Sequence, residues 1–335
     1  MKAFISRTLS GIDSLVMEEV PSPGPLGSGQ VRIALRAASL NYRDLLVLSG
    51  ALPSMTLKEL IPCSDGAGEV VEVAPDVSRV RVGDRVALTF NPDWIGGPWE
   101  PSLGGGGRGG AIQGVMRAEL VVHQQEAVIL PAHLSFQEGA ALPCAAVTAW
   151  HALCAARPLL PGTTVLLQGG GGVSLFALQF AKLFGARVIH ISSSPERCAR
   201  LKSLGADETI DYRANPKWSN EVRELTRGGA DLTIDIGGAD TIEQSVASTR
   251  LFGRVALVGR LTGRASVISM GSSYVEMQPV AVGSRQDFEA MNRAIAFHRL
   301  RPIIDSRYAF AQLPEALRHL ESGRHMGKIV IDFDH

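Results

Sequence analysis

Cysteine is scarce in this chain. Cys63, Cys144, Cys154 and Cys198 are scattered over 335 residues with no Cys-x-x-Cys pair, which excludes a disulfide framework and a zinc ribbon and leads us to expect reduced thiols. An excess of either charge is lacking too, since 33 Lys plus Arg balance 33 Asp plus Glu. With no clustered basic run, the electrostatic footprint of a dedicated nucleic-acid binder is missing, and neither DNA nor RNA is expected as a partner. No uncharged apolar stretch approaches the roughly 18 residues that span a bilayer, and residues 1–10 lack the apolar centre of a signal peptide. We therefore expect no membrane association and a cytoplasmic location. Aromatic residues are 6% and charged residues 20%, against 45% hydrophobic, a balance that excludes a disordered tail protein and a coiled coil. The length suits two domains at about 150 residues each.

Glycine is the residue in excess: 36 of 335, about 11% where roughly 7% is average. Two runs hold the surplus. Gly96 to Gly114 has no apolar periodicity and reads as a flexible surface loop, either a linker or a substrate-entrance loop. Gly169 to Gly172 is short and flanked by strongly periodic segments.

Before Val165 the chain is mostly short β-rich segments between turn signals: Gln30 to Ala38, Gly68 to Val73, Asp84 to Leu88 and Glu119 to Val122. A long Ala-rich helix is expected over Phe136 to Ala156, closed by Arg157-Pro158. Beyond it, apolar strands alternate with amphipathic helices from Thr164 to Val258, the pattern of a parallel sheet covered on both faces, and hence of a doubly wound α/β domain. Helices over Asp287 to His298 and Leu313 to Glu321 follow, and a terminal strand, Lys328 to Asp332, is expected to rejoin the first domain.

The stretch Val165-Leu166-Leu167-Gln168-Gly169-Gly170-Gly171-Gly172-Val173-Ser174 sets glycines between an apolar strand and a helix. Glycines there permit a tight turn and close approach of a pyrophosphate, and the helix N-terminus offers unpaired N–H groups and the positive end of its dipole. Gly169, Gly171, Gly172, Val173 and Ser174 are the candidate pyrophosphate residues. Ser174 stands where the pattern has its third glycine. About 20 residues on, an NAD-binding fold usually offers a carboxylate to the ribose, but this chain reads His190-Ile191-Ser192-Ser193-Ser194-Pro195-Glu196-Arg197. Ser193, Ser194 and Arg197 can instead donate charge-assisted hydrogen bonds to a 2′-phosphate, so NADP(H) is the expected cofactor.

An ordered series of motifs runs nearly end to end: Leu40-Asn41-Tyr42-Arg43-Asp44, Asp65-Gly66-Ala67-Gly68-Glu69-Val70, Val82-Gly83-Asp84-Arg85-Val86, Leu142-Pro143-Cys144 to Thr148-Ala149-Trp150, Gly205-Ala206-Asp207 with Asp211-Tyr212, Asp235-Ile236-Gly237-Gly238, and Gly327-Lys328. By these the chain resembles a medium-chain dehydrogenase/reductase of the quinone-oxidoreductase-like branch, often grouped with zinc-type alcohol dehydrogenases. The resemblance implies a Rossmann doubly wound parallel sheet domain plus a GroES-like strand-rich catalytic domain. The implied division is residues 1–126, completed by 286–335, for the catalytic domain and 127–285 for the nucleotide domain. It further implies that Tyr212 lies beside the 2′-phosphate, that Val258-Gly259 and Gly283-Ser284 line the nicotinamide and pyrophosphate ends, that Thr148 lies near the nicotinamide, and that the chain forms a homodimer.

Zinc-using relatives carry ligands where this chain has Asn41, Ser64, Asp65 and Cys144. One thiol with one carboxylate falls short of the three ligands that a catalytic zinc requires, and the glycine-rich loop that replaces the structural zinc lobe has no cysteine, so no metal is expected. Without one, hydrogen-bond donors must polarise the acceptor oxygen. Asn41 and Tyr42 are the candidate catalytic residues, with core packing and an outward hydroxyl the structural alternative for Tyr42 and mutual pairing the reading for Arg43 and Asp44. The expectation is an NADPH-dependent oxidoreductase acting without zinc on a small activated carbonyl, a quinone or an enone. Alcohol/aldehyde interconversion and a non-catalytic NADPH-binding protein are the alternatives.

Overall fold

Residues 30–39 alternate buried and part-exposed side chains along QVRIALRAAS, the period of a strand with one face on a core. In a computed structural model that describes residues 1–52, 56–100, 103, 107–154, 157–259, 261, 263 and 274–333, this strand is the hub of an antiparallel sheet. The chain starts with a hairpin of β1 (Lys2–Ser6) and β2 (Leu15–Glu19). It continues through β3 (Gln30–Ser39), α1 (Tyr42–Leu48), β4 (Asp65–Val73), β5 (Arg85–Leu88), β6 (Glu119–His123), β7 (Ala127–Ile129) and α2 (Phe136–Ala140). β3 pairs with both β4 and β6, β4 with β5, and β5 with β7.

The second stretch holds α3 (Val147–Cys154), β8 (Thr164–Gln168), α4 (Gly172–Leu183), β9 (Arg187–Ser192), α5 (Pro195–Ser203), β10 (Glu208–Asp211), α6 (Trp218–Thr226), β11 (Ala230–Asp235), α7 (Ile242–Ser248), β12 (Thr249–Leu257) and β13 (Glu276–Pro279). Among the described residues its six strands run in the order β10-β9-β8-β11-β12-β13, every pairing parallel. Numbered from β8, that is 3-2-1-4-5-6, the Rossmann arrangement. Val165, Leu166 and Leu167 are fully buried, as a central strand covered on both faces requires.

The chain then returns through α8 (Arg285–His298), β14 (Ile304–Ala309), α9 (Leu313–Glu321) and β15 (Lys328–Asp332). β15 adds antiparallel to β3 and parallel to β14, so the terminal strand does rejoin the first sheet. The compact units are Met1–Val147 with Gly283–His335, and Thr148–Val282. Residues 127–147, placed with the nucleotide domain on the sequence, thus lie in the first unit, because β7 completes the β5 edge and α2 packs against β3 and β4. Gly283 and Ser284 lie there as well.

Two further expectations meet a different structure. The single helix over Phe136 to Ala156 is divided: α2 ends at Ala140, a π-helical turn runs Leu142–Ala146, and α3 begins at Val147. Pro143 has no N–H to continue the ladder and its ring crowds the preceding turn. Residues 155 and 156 lie outside the described residues. Within the Gly96 to Gly114 run, residues 107–110 are buried rather than on a flexible surface. Gly109 adopts φ +64°, and a Cβ there would stand 2.5 Å from the Cys63 carbonyl carbon, so backbone packs on backbone. The buried Arg108 pairs with Glu126, which anchors the far end of the run. Residues 101, 102 and 104–106 lie outside the described residues. No helix among the described residues is long and apolar enough to cross a membrane.

Candidate functional site

In the second unit, β8 stands where the strand order reverses, the place at which open α/β sheets take ligands. Gly169 leaves β8 at φ +75°, a conformation that other residues enter only at a cost. Gly171 caps α4, and Leu175 N donates to its carbonyl. The N–H groups of Gly172, Val173 and Ser174 precede that first helical bond and have no intrahelical acceptor. A Cβ placed on Gly171 would meet nothing within 4 Å, so open space lies directly against the turn. Ser174 is buried and its Oγ donates to the Gln168 carbonyl at 2.5 Å. The hydroxyl thus ties helix to strand where a third glycine would only permit their approach.

The turn is braced from two sides. Gly169 N donates to the Ile191 carbonyl at 2.8 Å, and the fully buried His190 ring contacts the Gly169 carbonyl through Nε2 at 2.6 Å. Burial holds the imidazole pKa down at about 4, so the ring is neutral and Nε2 carries the donated hydrogen. Beneath, Gln168 Nε2 donates to Ser245 Oγ at 2.7 Å, and Ser245 Oγ donates to the buried Asp235 at 2.5 Å. Sequence reasoning missed His190. Its signal is a lone polar side chain inside the apolar strand Val188-Ile189-His190-Ile191, which a buried position obliges to find a partner.

β9 delivers Ser193 and Ser194 at its C-terminal end, and Tyr212 N donates to the Ser192 carbonyl at 2.9 Å. Adjacent parallel strands therefore bring Tyr212 to the serines, 37% exposed. Ser194 caps α5, accepting from Arg197 N at 3.3 Å, and its hydrogen bond to Glu196 holds that carboxylate pKa down. The Ser194 hydroxyl is thus engaged locally, and Ser193 and Arg197 are both half-buried. Val258 and Gly259 both donate N–H to the Asp235 carbonyl after β12. Thr148 is buried in the first turn of α3.

In the first unit, Asn41 starts α1, its N–H held by the Asp44 carboxylate at 2.8 Å. Burial raises the Asp44 pKa to about 6, against the pull of Arg43. Arg43 bonds Asp44 at 3.4 Å and the Arg108 carbonyl at 2.9 Å, and lies over the Phe90 ring, the mutual pairing expected of Arg43 and Asp44. Tyr42 follows Asn41 and is 40% exposed. Ser284 caps α8, its hydroxyl donating to Asp287 at 2.7 Å.

Asn41, Ser64, Asp65 and Cys144 do come together. Asn41 Nδ2 donates to Ser64 Oγ at 3.4 Å, Ser64 Oγ to Asp65 Oδ1 at 2.6 Å, and the Cys144 backbone N–H to Asp65 Oδ2 at 3.1 Å. Lys328, quoted in the sequence only within the Gly327-Lys328 motif and given no role there, joins them. Its buried ammonium donates to the carbonyl oxygens of Leu40 and of the Asn41 side chain, each at 2.6 Å, and stands 3.9 Å from Asp65 Oδ2. A lone lysine opening the apolar strand KIVID is the signal that could have found it. Burial pushes the Cys144 thiol pKa well up. Among the described residues no three His, Cys, Asp or Glu side chains converge as a metal site.

Residues 27–132 match the sequence model of the alcohol dehydrogenase GroES-like domain, and residues 172–296 that of the zinc-binding dehydrogenase family. The whole chain is 36% identical to a zinc-type alcohol dehydrogenase-like protein of Schizosaccharomyces pombe, over 99% of that protein. It is 30% identical to a quinone oxidoreductase of Pseudomonas aeruginosa, over 92% of this chain and 93% of the relative. A solved NAD-dependent alcohol dehydrogenase superposes with a TM-score of 0.88 at 32% identity, covering 99% of each chain. A mycobacterial protein solved in complex with NADPH superposes with a TM-score of 0.83 at 25% identity, again over 99% of each.

Proposed function

We propose, for a chain that belongs to the medium-chain dehydrogenase/reductase superfamily and is an oxidoreductase of that type, that it uses NADP(H) to reduce a small activated carbonyl compound, a quinone or an enone, without catalytic zinc. One observation carries the reading: a glycine turn at the strand-order reversal that leads into the α4 N-terminus, where a Cβ on Gly171 would meet nothing within 4 Å among the described residues. Gly172, Val173 and Ser174 fit a pyrophosphate. Ser193, Arg197 and Tyr212 suit a 2′-phosphate, and Val258 and Gly259 the nicotinamide end. Gly283, Ser284 and Thr148 join them only on the strength of the resemblance. The NADPH complex of the mycobacterial neighbour supports the phosphorylated nucleotide.

The donor set supports zinc independence. The Asp65 oxygens already accept from Ser64 and from Cys144 N, and an ammonium stands beside the carboxylate. A dication there would meet a positive charge and a single thiol, which does not fit a site of three protein ligands.

The chemistry NADPH supplies when bound is a hydride to an electrophilic carbon. Negative charge growing on the acceptor oxygen needs fixed donors; Asn41 Nδ2 is such a donor, and the exposed Tyr42 hydroxyl can give the proton that completes the reduction. The same resemblance leads us to propose a homodimer, which sedimentation of the purified chain tests. The function is tested by NADPH loss with a panel of quinones, enones and aldehydes. Turnover of quinones or enones is expected. Turnover of aldehydes alone favours the alcohol dehydrogenase reading, and tight NADPH binding without any turnover favours a binding protein.

A further inference from the structure

Lys328 reaches Asn41 because β15 runs antiparallel to β3 with Val330 opposite Ser39, so Lys328 falls beside the residues that follow the end of β3. Its side chain is 3% exposed, and a buried ammonium is tolerated only with oxygen partners around it. Leu40 O, Asn41 Oδ1 and Asp65 are those partners. An ammonium has donors and no lone pair, whereas a side-chain amide has an acceptor end and a donor end. The Asn41 amide therefore has one orientation available: Oδ1 toward Lys328, and Nδ2 away from it.

The direction continues from there. Ser64 spends its one hydrogen on Asp65 Oδ1 at 2.6 Å, so its oxygen meets Asn41 Nδ2 as an acceptor. The chain of donors reads Lys328 to Asn41 to Ser64 to Asp65, and Asp65 closes it by standing 3.9 Å from the ammonium that began it. Nδ2 has two hydrogens, and one is taken by Ser64. The second is fixed as a donor, because reversal of the amide would aim its NH2 group at an ammonium.

We infer that Lys328 is the positioning residue that sets the polarity of Asn41, so that the group taken beside Asn41 must present an oxygen lone pair, as a carbonyl does. This rests on the reading of Asn41 as an acceptor-polarising residue, while the amide orientation itself does not depend on that reading.

The test has one readout without cofactor and one with it. In the nitrogen-15 spectrum of the chain alone, the Asn41 side-chain NH2 pair is identified by its loss in Asn41→Asp. In Lys328→Met that pair shifts and its hydrogens exchange about tenfold faster or more, the scale of one charge-assisted hydrogen bond. A pair left unchanged in Lys328→Met overturns the inference. With NADPH and a quinone, Lys328→Met lowers kcat about tenfold in the native background and less than about twofold in Asn41→Ala, because coupled residues do not add; equal losses in both backgrounds overturn it. Asn41→Asp keeps an ion pair with Lys328 but has no donor, so it serves even if Lys328→Met fails to fold. Where its spectrum shows it folded, it is expected to lose kcat about tenfold or more, and native turnover in it overturns the donor role. A native chain that turns over no acceptor removes the functional reading and leaves the spectral result to decide the orientation.

Discussion

His190 gives its Nε2–H to the Gly169 carbonyl across 2.6 Å, tying the second strand of the nucleotide unit to the turn that follows its first. The other ring nitrogen, Nδ1, is buried with no hydrogen-bond partner among the described residues. Protonation would therefore add a charge and an N–H with nothing to receive it.

A pH dependence follows from that arrangement. The imidazole pKa falls from 6.5 to about 4 on folding because burial penalises the cation. Between those values the unfolded chain binds a proton that the folded chain refuses, so this contribution is full above pH 6.5 and is lost as pH falls toward 4. At 1.36 kcal/mol per pKa unit it amounts to roughly 3 kcal/mol. Denaturant unfolding across this range should show a steeper acid loss in the native chain than in His190→Gln, which retains a donor and does not titrate. Parallel curves would refute the assignment.

Gly259 and Gly171 should respond oppositely to alanine. A Cβ on Gly259 would lie 1.7 Å from the Ile236 carbonyl oxygen, so Gly259→Ala is expected to lower stability by about 2 kcal/mol or more through backbone displacement. Gly171 has φ −78° and open space beside it. Gly171→Ala should leave unfolding within about 0.5 kcal/mol of the native chain while cutting NADPH affinity at least about tenfold, since the methyl fills the space proposed for the pyrophosphate. Thermal melts with nucleotide titrations check both, and unchanged affinity in Gly171→Ala rejects the cradle.

Arg197 should discriminate between nucleotides. Arg197→Ala is expected to raise the KM for NADPH about tenfold or more, the loss of one charge-assisted contact, and to move the KM for NADH less than about twofold. Steady-state kinetics with both nucleotides decide it, and equal effects reject the phosphate role.

Metal content gives the remaining check. With Lys328 beside Asp65, protein purified without chelators should contain well under one equivalent of zinc by elemental analysis, and a chelator should leave its melting temperature unchanged. A stoichiometric value contradicts the zinc-independent reading.

Much of the nucleotide unit was legible in the sequence because its signals are local. The apolar Val165-Leu166-Leu167 run, the glycines after it and the amphipathic α4 each depend on neighbours a few residues away, and the doubly wound parallel class follows from alternating strands and helices, whereas the strand order came from the structure. The broken helix at Pro143 carried its own local signal in the proline. The placement of residues 127–147 had none, because it follows from the pairing of β7 with β5 and the packing of α2 against β3 and β4.

The sequence alone thus determined the fold class and the glycine turn between β8 and α4, both matters of residue type and short-range spacing. Tertiary structure decided which groups meet across the chain. Lys328 and Asn41 are 287 positions apart, and their contact depends on the register of β15 against β3. No local period encodes that register, since sheet pairing is selected by burial of the whole face rather than by either residue.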